Sequence, residues 1–417
     1  MLDNVLSRRA GTIGARQGRP WRYAASATYH PEDNPSGLIS FALAENKLMQ
    51  SELDTLAKTV DMRTEDWSYA GTSGGGPDLP GLFADHINDF LSPHRPVEAS
   101  HVQVVGSCTS AHSILAWALA DPRDAFLVSR PFYGRLELDF GNMSGVEIQC
   151  ADTDAETCFQ PGVVDRYEDA LRECERQHVK PRAVFIINPH NPLGRCYPKE
   201  TLIAIMQFCQ KHRLHLISDE IYACSVFDSG EPEATPFTSV LSLDTDQYID
   251  PRYLTVTYGL AKDFCAPGLK VGSIVTRSKS VSSAVTDCLR FASPSGASVA
   301  VARAMLGDRQ WRRAFMEKSR VELAGAYRHA ASQLADIGVR VLPGSNAGFF
   351  VYVDLSPYLP EHRTPEWELA RRLQEAGVFL HPCEEHSLKP GLFRIVYSQD
   401  PRTVTEGIKR IKSVISN

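Results

Sequence analysis

Asn188-Pro189-His190-Asn191-Pro192-Leu193-Gly194, Ser218-Asp219-Glu220-Ile221-Tyr222 and Tyr258-Gly259-Leu260-Ala261-Lys262 are three polar motifs, each preceded by a short apolar run, at 183–187, 214–217 and 253–257. Runs of this length, bounded by turn residues, read as strands buried on both faces, as in a parallel sheet. In open α/β sheets ligands bind in the crevice beyond the carboxyl ends of the strands. The three motifs are therefore expected to converge on one site, offering it an amide, a carboxylate, a phenol and an amine.

Outward from this centre, runs at 102–105, 125–128, 146–148 and 271–276 alternate with helical stretches, which predicts βαβ units. Charged and apolar residues recur at helical spacing over 309–334, predicting a long helix that leaves the large unit. Strands are expected at 338–342, 348–354 and 392–397, with a helix over 367–376 between the last two. The predicted fold class is α/β. A large domain, 61–308, carries a mostly parallel sheet flanked by helices; a smaller α+β domain is formed by 309–417 together with part of the arm 1–60.

Composition narrows the partners. A chain of 417 residues accommodates a sizeable core and a companion domain. Its net charge of -6 offers no basic surface to nucleic acid or to an anionic membrane, and no run approaches the length of a transmembrane helix. Small metabolites are the expected partners. Ten scattered cysteines without a CxxC pair argue against a disulfide framework or a structural zinc, so a cytoplasmic location is expected. Arg8, Arg9, Arg16, Arg19 and Arg22 against Asp3 alone leave an organelle transit peptide open beside a solvated arm. Cys209, His212 and His215 straddle a helix end and a strand start and read as packing and surface positions.

The expected site group suits pyridoxal 5'-phosphate (PLP) chemistry, in which a lysine carries the aldehyde as a Schiff base and an acid keeps the pyridine nitrogen protonated. Lys262 would be that lysine and, once freed by the substrate amine, the base that removes the α-proton. Asp219 would bond the ring nitrogen. Gly106-Ser107-Cys108-Thr109-Ser110 follows a strand and opens an apolar helix, so its backbone N–H groups form a phosphate cradle.

From residue 29 to about 398 the chain resembles the class I/II aminotransferases of PLP fold type I. Within that group it is most similar to the 1-aminocyclopropane-1-carboxylate (ACC) synthase-like enzymes. Two stretches carry the finer likeness: residues 29–46, ending Ala44-Glu45-Asn46, and Asn346-Ala347-Gly348-Phe349-Phe350-Val351-Tyr352-Val353-Asp354-Leu355. The resemblance implies roles for further residues. Asn191 and Tyr222 reach the ring hydroxyl, Cys108 and Thr109 with Ser107 meet the phosphate, and Tyr133 stacks on the ring. Arg394 receives the α-carboxylate of an amino acid substrate, with Asn191 beside it. Tyr69 reaches the phosphate of a neighbouring subunit, which implies a homodimer with shared sites. The glycine-rich run 71–76 reads as a flexible loop near the site mouth.

Two positions depart from the family pattern. Gly259 stands where relatives carry a serine, and Lys270 where they carry an arginine. A point charge replaces a planar fork at the second, so a Lys270→Arg variant is expected to bind PLP more tightly than the wild type in a cofactor titration. The expected activity is that of a carbon–sulfur lyase: either β-elimination from a cysteine conjugate, as in fungal sulfur-containing secondary metabolism, or ACC formation from S-adenosylmethionine. The alternative is transamination to a 2-oxo acid. A non-enzymatic binding module is the reading from a different class, opposed by the intact Lys262, Asp219, Asn191, Tyr222 and Arg394. Loops at 24–28 and 72–77 are expected to set specificity.

Overall fold

The computed structural model describes residues 5–7, 10–11, 28–383 and 386–416. The arginine-rich stretch and most of the 24–28 loop lie outside the described residues.

Twelve strands are described, numbered here in chain order. Seven form the central sheet: β2 (Val102–Val105), β3 (Ala125–Ser129), β4 (Glu147–Ala151), β5 (Pro181–Ile187), β6 (His215–Asp219), β7 (Leu254–Gly259) and β8 (Gly272–Thr276). Their order is β2-β8-β7-β6-β5-β3-β4. The pairs among β3 to β7 are parallel, whereas β8 runs antiparallel to both β7 and β2. The cause is the connection. Residues 260–271 hold only turns and one short 3-10 segment, too little for the helical crossover that a parallel neighbour requires.

Alternate side chains of this sheet feed two separate cores. Val104, Leu127, Val184, Ile186, Leu216 and Val256 point to one face, and Val105, Phe126, Val128, Phe185, Ile217 and Ile274 to the other. Both faces of the central strands are covered, so β3 and β5 appear in the sequence as mainly apolar runs, whereas the edge strand β4 is partly exposed and carries Glu147 and Gln149.

The 28-residue helix Arg309–Asp336 leaves this layer, two residues longer than its expected end. Beyond it β9 (Arg340–Val341), β10 (Phe350–Asp354) and β12 (Leu392–Val396) make a three-stranded antiparallel sheet, and β9 is shorter than the stretch 338–342 predicts. Two further strands, β1 (Ile39–Ser40) and β11 (Val378–Phe379), pair in parallel and bring the start of the chain onto its carboxyl-terminal part. Neither is apparent in the sequence, since two residues establish no period.

The run 71–76 is not an open loop. Tyr69–Thr72 and Ser73–Gly75 form helical turns, and Gly74, Gly75 and Gly76 all have positive φ. A Cβ on Gly75 would lie 2.6 Å from Val104 Cγ1, so the run is pressed onto β2 where only glycine fits.

Candidate active site

The ends of β5, β6 and β7 lie side by side, so the three motifs share one crevice. The first is stitched to the second, because Asn188 donates its N–H to the Asp219 carbonyl at 2.9 Å. Its loop is closed internally by His190 N–H to Arg195 O at 2.7 Å and Gly194 N–H to His190 O at 2.8 Å. Asn346 and Ala347 both donate to Gly194 O, which docks the stretch 346–355 onto this loop.

Lys262 sits in the turn after β7, partly buried, and Nζ donates to Ala44 O at 2.6 Å. Burial, and after it the nearby Arg394 charge, pull the amine down to about 8, while Glu45 and Asp219 act in the opposite direction. The next residue anchors the turn. Asp263 accepts from Cys224 N–H at 2.8 Å, Ser225 Oγ at 2.6 Å and Tyr258 Oη at 3.0 Å, which ties the lysine turn to the loop after β6.

Arg394, inside β12 and buried, donates from Nη1 to Asn191 Oδ1 at 2.8 Å and from Nη2 to Ala42 O at 2.9 Å. Phe350 underlies its guanidinium at 5.4 Å, and Phe349 lies 5.8 Å from Lys262 Nζ. Both rings also meet the buried Tyr222 edge-on, at 5.5 and 5.4 Å. Burial raises the Tyr222 phenol above its usual range, keeping it a neutral donor.

Asp219 is 4% exposed and accepts from Thr257 Oγ1 at 3.0 Å. Its other oxygen faces His112 Nε2 at 3.3 Å, and His112 Nδ1 meets Asp139 at 3.1 Å. Burial opposes charge on this imidazole, but the two carboxylates outweigh it and raise His112 to about 9. Sequence reasoning missed both His112 and Asp139. The available signal was weak: His112 lies one turn after Cys108 on the same helix, and Asp139 interrupts apolar positions between Leu136 and Phe140.

The helix Cys108–Leu119 starts at the end of β2, capped by Ser107, whose Oγ accepts from Ser110 N–H at 3.0 Å. Cys108 is buried, and burial, then Asp219, raise its thiol, so it brings no charge to the cradle. One departure from the family pattern lies beside it: a Cβ on Gly259 would come 3.1 Å from both Cys108 Sγ and Val271 O and 3.2 Å from Gly272 Cα, so the space at 259 is tight. Thr109 is exposed at the helix start and Tyr133 is partly buried, within electrostatic reach of Tyr222.

Two further expected members are exposed. Lys270 is exposed, with φ 54°, and ends the turn Pro267–Leu269. Tyr69 is 97% exposed on a segment braced from behind, where Asp66 accepts from Arg303 at 2.6 and 2.9 Å. Of the three residues set aside as metal ligands, His212 bonds Glu168 at 2.8 Å, His215 bonds Thr255 at 2.8 Å, and Cys209 lies in the core.

The donor set fits PLP: an amine of lowered basicity for the aldehyde, a buried carboxylate for the ring nitrogen, and a serine-capped helix start for the phosphate. The neutral amine is the form that captures an aldehyde. Incorporation of PLP into cofactor-free protein, followed by absorbance, is therefore expected to rise about tenfold per pH unit and to level off above about 8, well below the usual lysine range.

Comparison with known proteins gives four findings. Residues 41–411 match the aminotransferase class I and II family. The chain is 31% identical over 432 residues to ACC synthase-like protein 1 of Takifugu rubripes, covering 99% of this chain and 68% of that protein. It is 30% identical to the ACC synthase of Glycine max over 95% of this chain and 84% of that one. Among solved structures, the Thermus thermophilus aspartate aminotransferase with maleate shares its fold, with a TM-score of 0.74, 20% identity, and 98% and 99% of the two chains covered.

Proposed function

Because the chain belongs to the aminotransferase class I and II family and is a PLP-dependent enzyme of that fold, we propose that it is a carbon–sulfur lyase of the ACC synthase-like group. One observation carries this reading. Both stretches whose sequence resembles ACC synthases line the site: Ala42 and Ala44 hold Arg394 and Lys262 through their carbonyls, while Phe349 and Phe350 wall Lys262, Arg394 and Tyr222.

Each residue then has a task. Arg394 grips the α-carboxylate of the amino acid, and Asn191 keeps the guanidinium oriented. Asp219 holds the proton of the ring nitrogen, and Asn191 and Tyr222 donate to the ring hydroxyl. Ser107, Cys108, Thr109 and Lys270 meet the phosphate, and Tyr133 lies on the ring. Bound there, the cofactor supplies a sink for the electron pair left at the substrate Cα. Lys262 Nζ takes the Cα proton. With a cysteine conjugate the pair then forms a carbon–carbon double bond as the Cβ–S bond breaks. Water completes the balance, giving thiol, pyruvate and ammonium.

Mass spectrometry of the products from an S-alkyl cysteine conjugate, without any oxo acid, tests the reading. Pyruvate, ammonia and free thiol are expected. ACC from S-adenosylmethionine would keep the lyase class and change the substrate. Turnover only when a 2-oxo acid is supplied would replace it with transamination.

The same reading makes the active unit a cytoplasmic homodimer acting in sulfur-containing secondary metabolism, its subunits divided at about residues 60 and 308. Trp67 and Tyr69, 79% and 97% exposed on their braced segment, support a second copy against this face. Mixing inactive Lys262→Ala subunits with Tyr69→Ala subunits is expected to restore product formation, because one of the two hybrid sites then has both residues. No recovery would place Tyr69 outside the neighbouring site.

A further inference from the structure

His112 is 4% exposed and lies between two carboxylates of different elements: Asp139, on the helix Leu136–Ser144, at 3.1 Å from Nδ1, and Asp219, at the end of β6, at 3.3 Å from Nε2. Phe185 and Phe140 close around the ring edge-on, at 4.9 and 6.1 Å. The ring is shared between the two carboxylates in a buried setting, with Thr257 Oγ1 as a second donor to Asp219 at 3.0 Å. Asp139 is 8% exposed.

We propose that His112, oriented by Asp139, is a positioning residue that fixes the direction of Asp219 and weakens its negative charge, and so sets how tightly the cofactor site holds its protons. The inference deepens the proposed role of Asp219 and rests on it. With both ring nitrogens protonated, His112 donates toward each carboxylate, and the three groups together carry one net negative charge rather than two. Asp139 and Asp219 are the charged groups that act on the ring, and both favour its protonated form against the effect of burial.

Nitrogen NMR of the histidine side chains in cofactor-free wild-type protein reads the first part directly. Both nitrogens of His112 are expected to carry protons at about pH 7.5, and Asp139→Asn is expected to lower the midpoint of their loss by at least about one pH unit. In the PLP-loaded protein, His112→Gln removes a cation beside Asp219 and leaves the site more negative. The pH midpoint of the visible absorbance is then expected to rise by about one unit.

Asp219→Asn controls for the underlying reading. If it leaves that midpoint in place, Asp219 does not meet the ring, and this inference falls with that role. If Asp219→Asn moves the midpoint and His112→Gln does not, the inference alone is overturned. A His112 found neutral at about pH 7.5 in the wild type overturns it as well, and decides the matter even where His112→Gln fails to fold.

Discussion

Lys262→Ala protein is expected to lose product formation by a factor of roughly 10²–10⁴ or more, the range that removal of a positioned proton-transfer group produces. Two separate steps fail. In the proposed function the amine that donates to Ala44 O at 2.6 Å captures the aldehyde and afterwards takes the Cα proton. Borohydride treatment followed by peptide mass spectrometry reads the first step, since cofactor should be fixed on the peptide containing Lys262 in the wild type and on none in the variant. The fold should survive. Removing a partly buried amine whose basicity is already lowered by burial and by Arg394 relieves desolvation rather than opening a core cavity. An unchanged turnover, or cofactor fixed on another lysine, would remove Lys262 from the chemistry.

Arg394→Gln is expected to fall almost as far, with most of the loss in kcat/KM. In the role proposed for it the buried guanidinium meets the α-carboxylate, and a neutral amide does not replace that charge. Truncating one partner of such a pair costs about 2–5 kcal/mol. That corresponds to a loss of roughly 30-fold to several-thousand-fold. The substitution also releases Asn191 Oδ1 and Ala42 O from their donors, so the orientation of the first motif and of the segment before Ala44 should suffer together. Arg394→Lys is not expected to rescue it, because a point charge lacks the fork. Comparing kcat and KM separately is informative: an effect on the α-carboxylate raises KM, whereas a purely structural role would lower the melting temperature and leave KM where it was.

These two residues were legible for different reasons. Lys262 stands in a contiguous motif after an apolar run, and the run predicts a buried strand whose end must face the crevice. Arg394 is a charge inside the apolar run Leu392–Val396, and a guanidinium in that setting requires a partner whatever the fold. Asn191, Asp219 and Tyr222 follow the first logic. Tyr69 follows neither. It is 97% exposed, and the role that the resemblance implies for it depends on a second copy of the chain.

The sequence by itself determined the position of the strands beneath the site, because β5, β6 and β7 are buried almost throughout and each follows or contains a short, mainly apolar run. It also determined which polar motifs end three of those strands, since a motif and its strand are contiguous in the chain. Only the tertiary structure decided that β8 runs antiparallel, that Ile39–Ser40 joins Val378–Phe379, that Cys108 lies against Gly259, and that His112 lies between Asp139 and Asp219. For β8 the reason is the short connection 260–271, which leaves no room for a helical crossover. The other three are contacts between segments distant in the chain, with no local periodicity to announce them, and their energy exists only once the fold has brought the elements together.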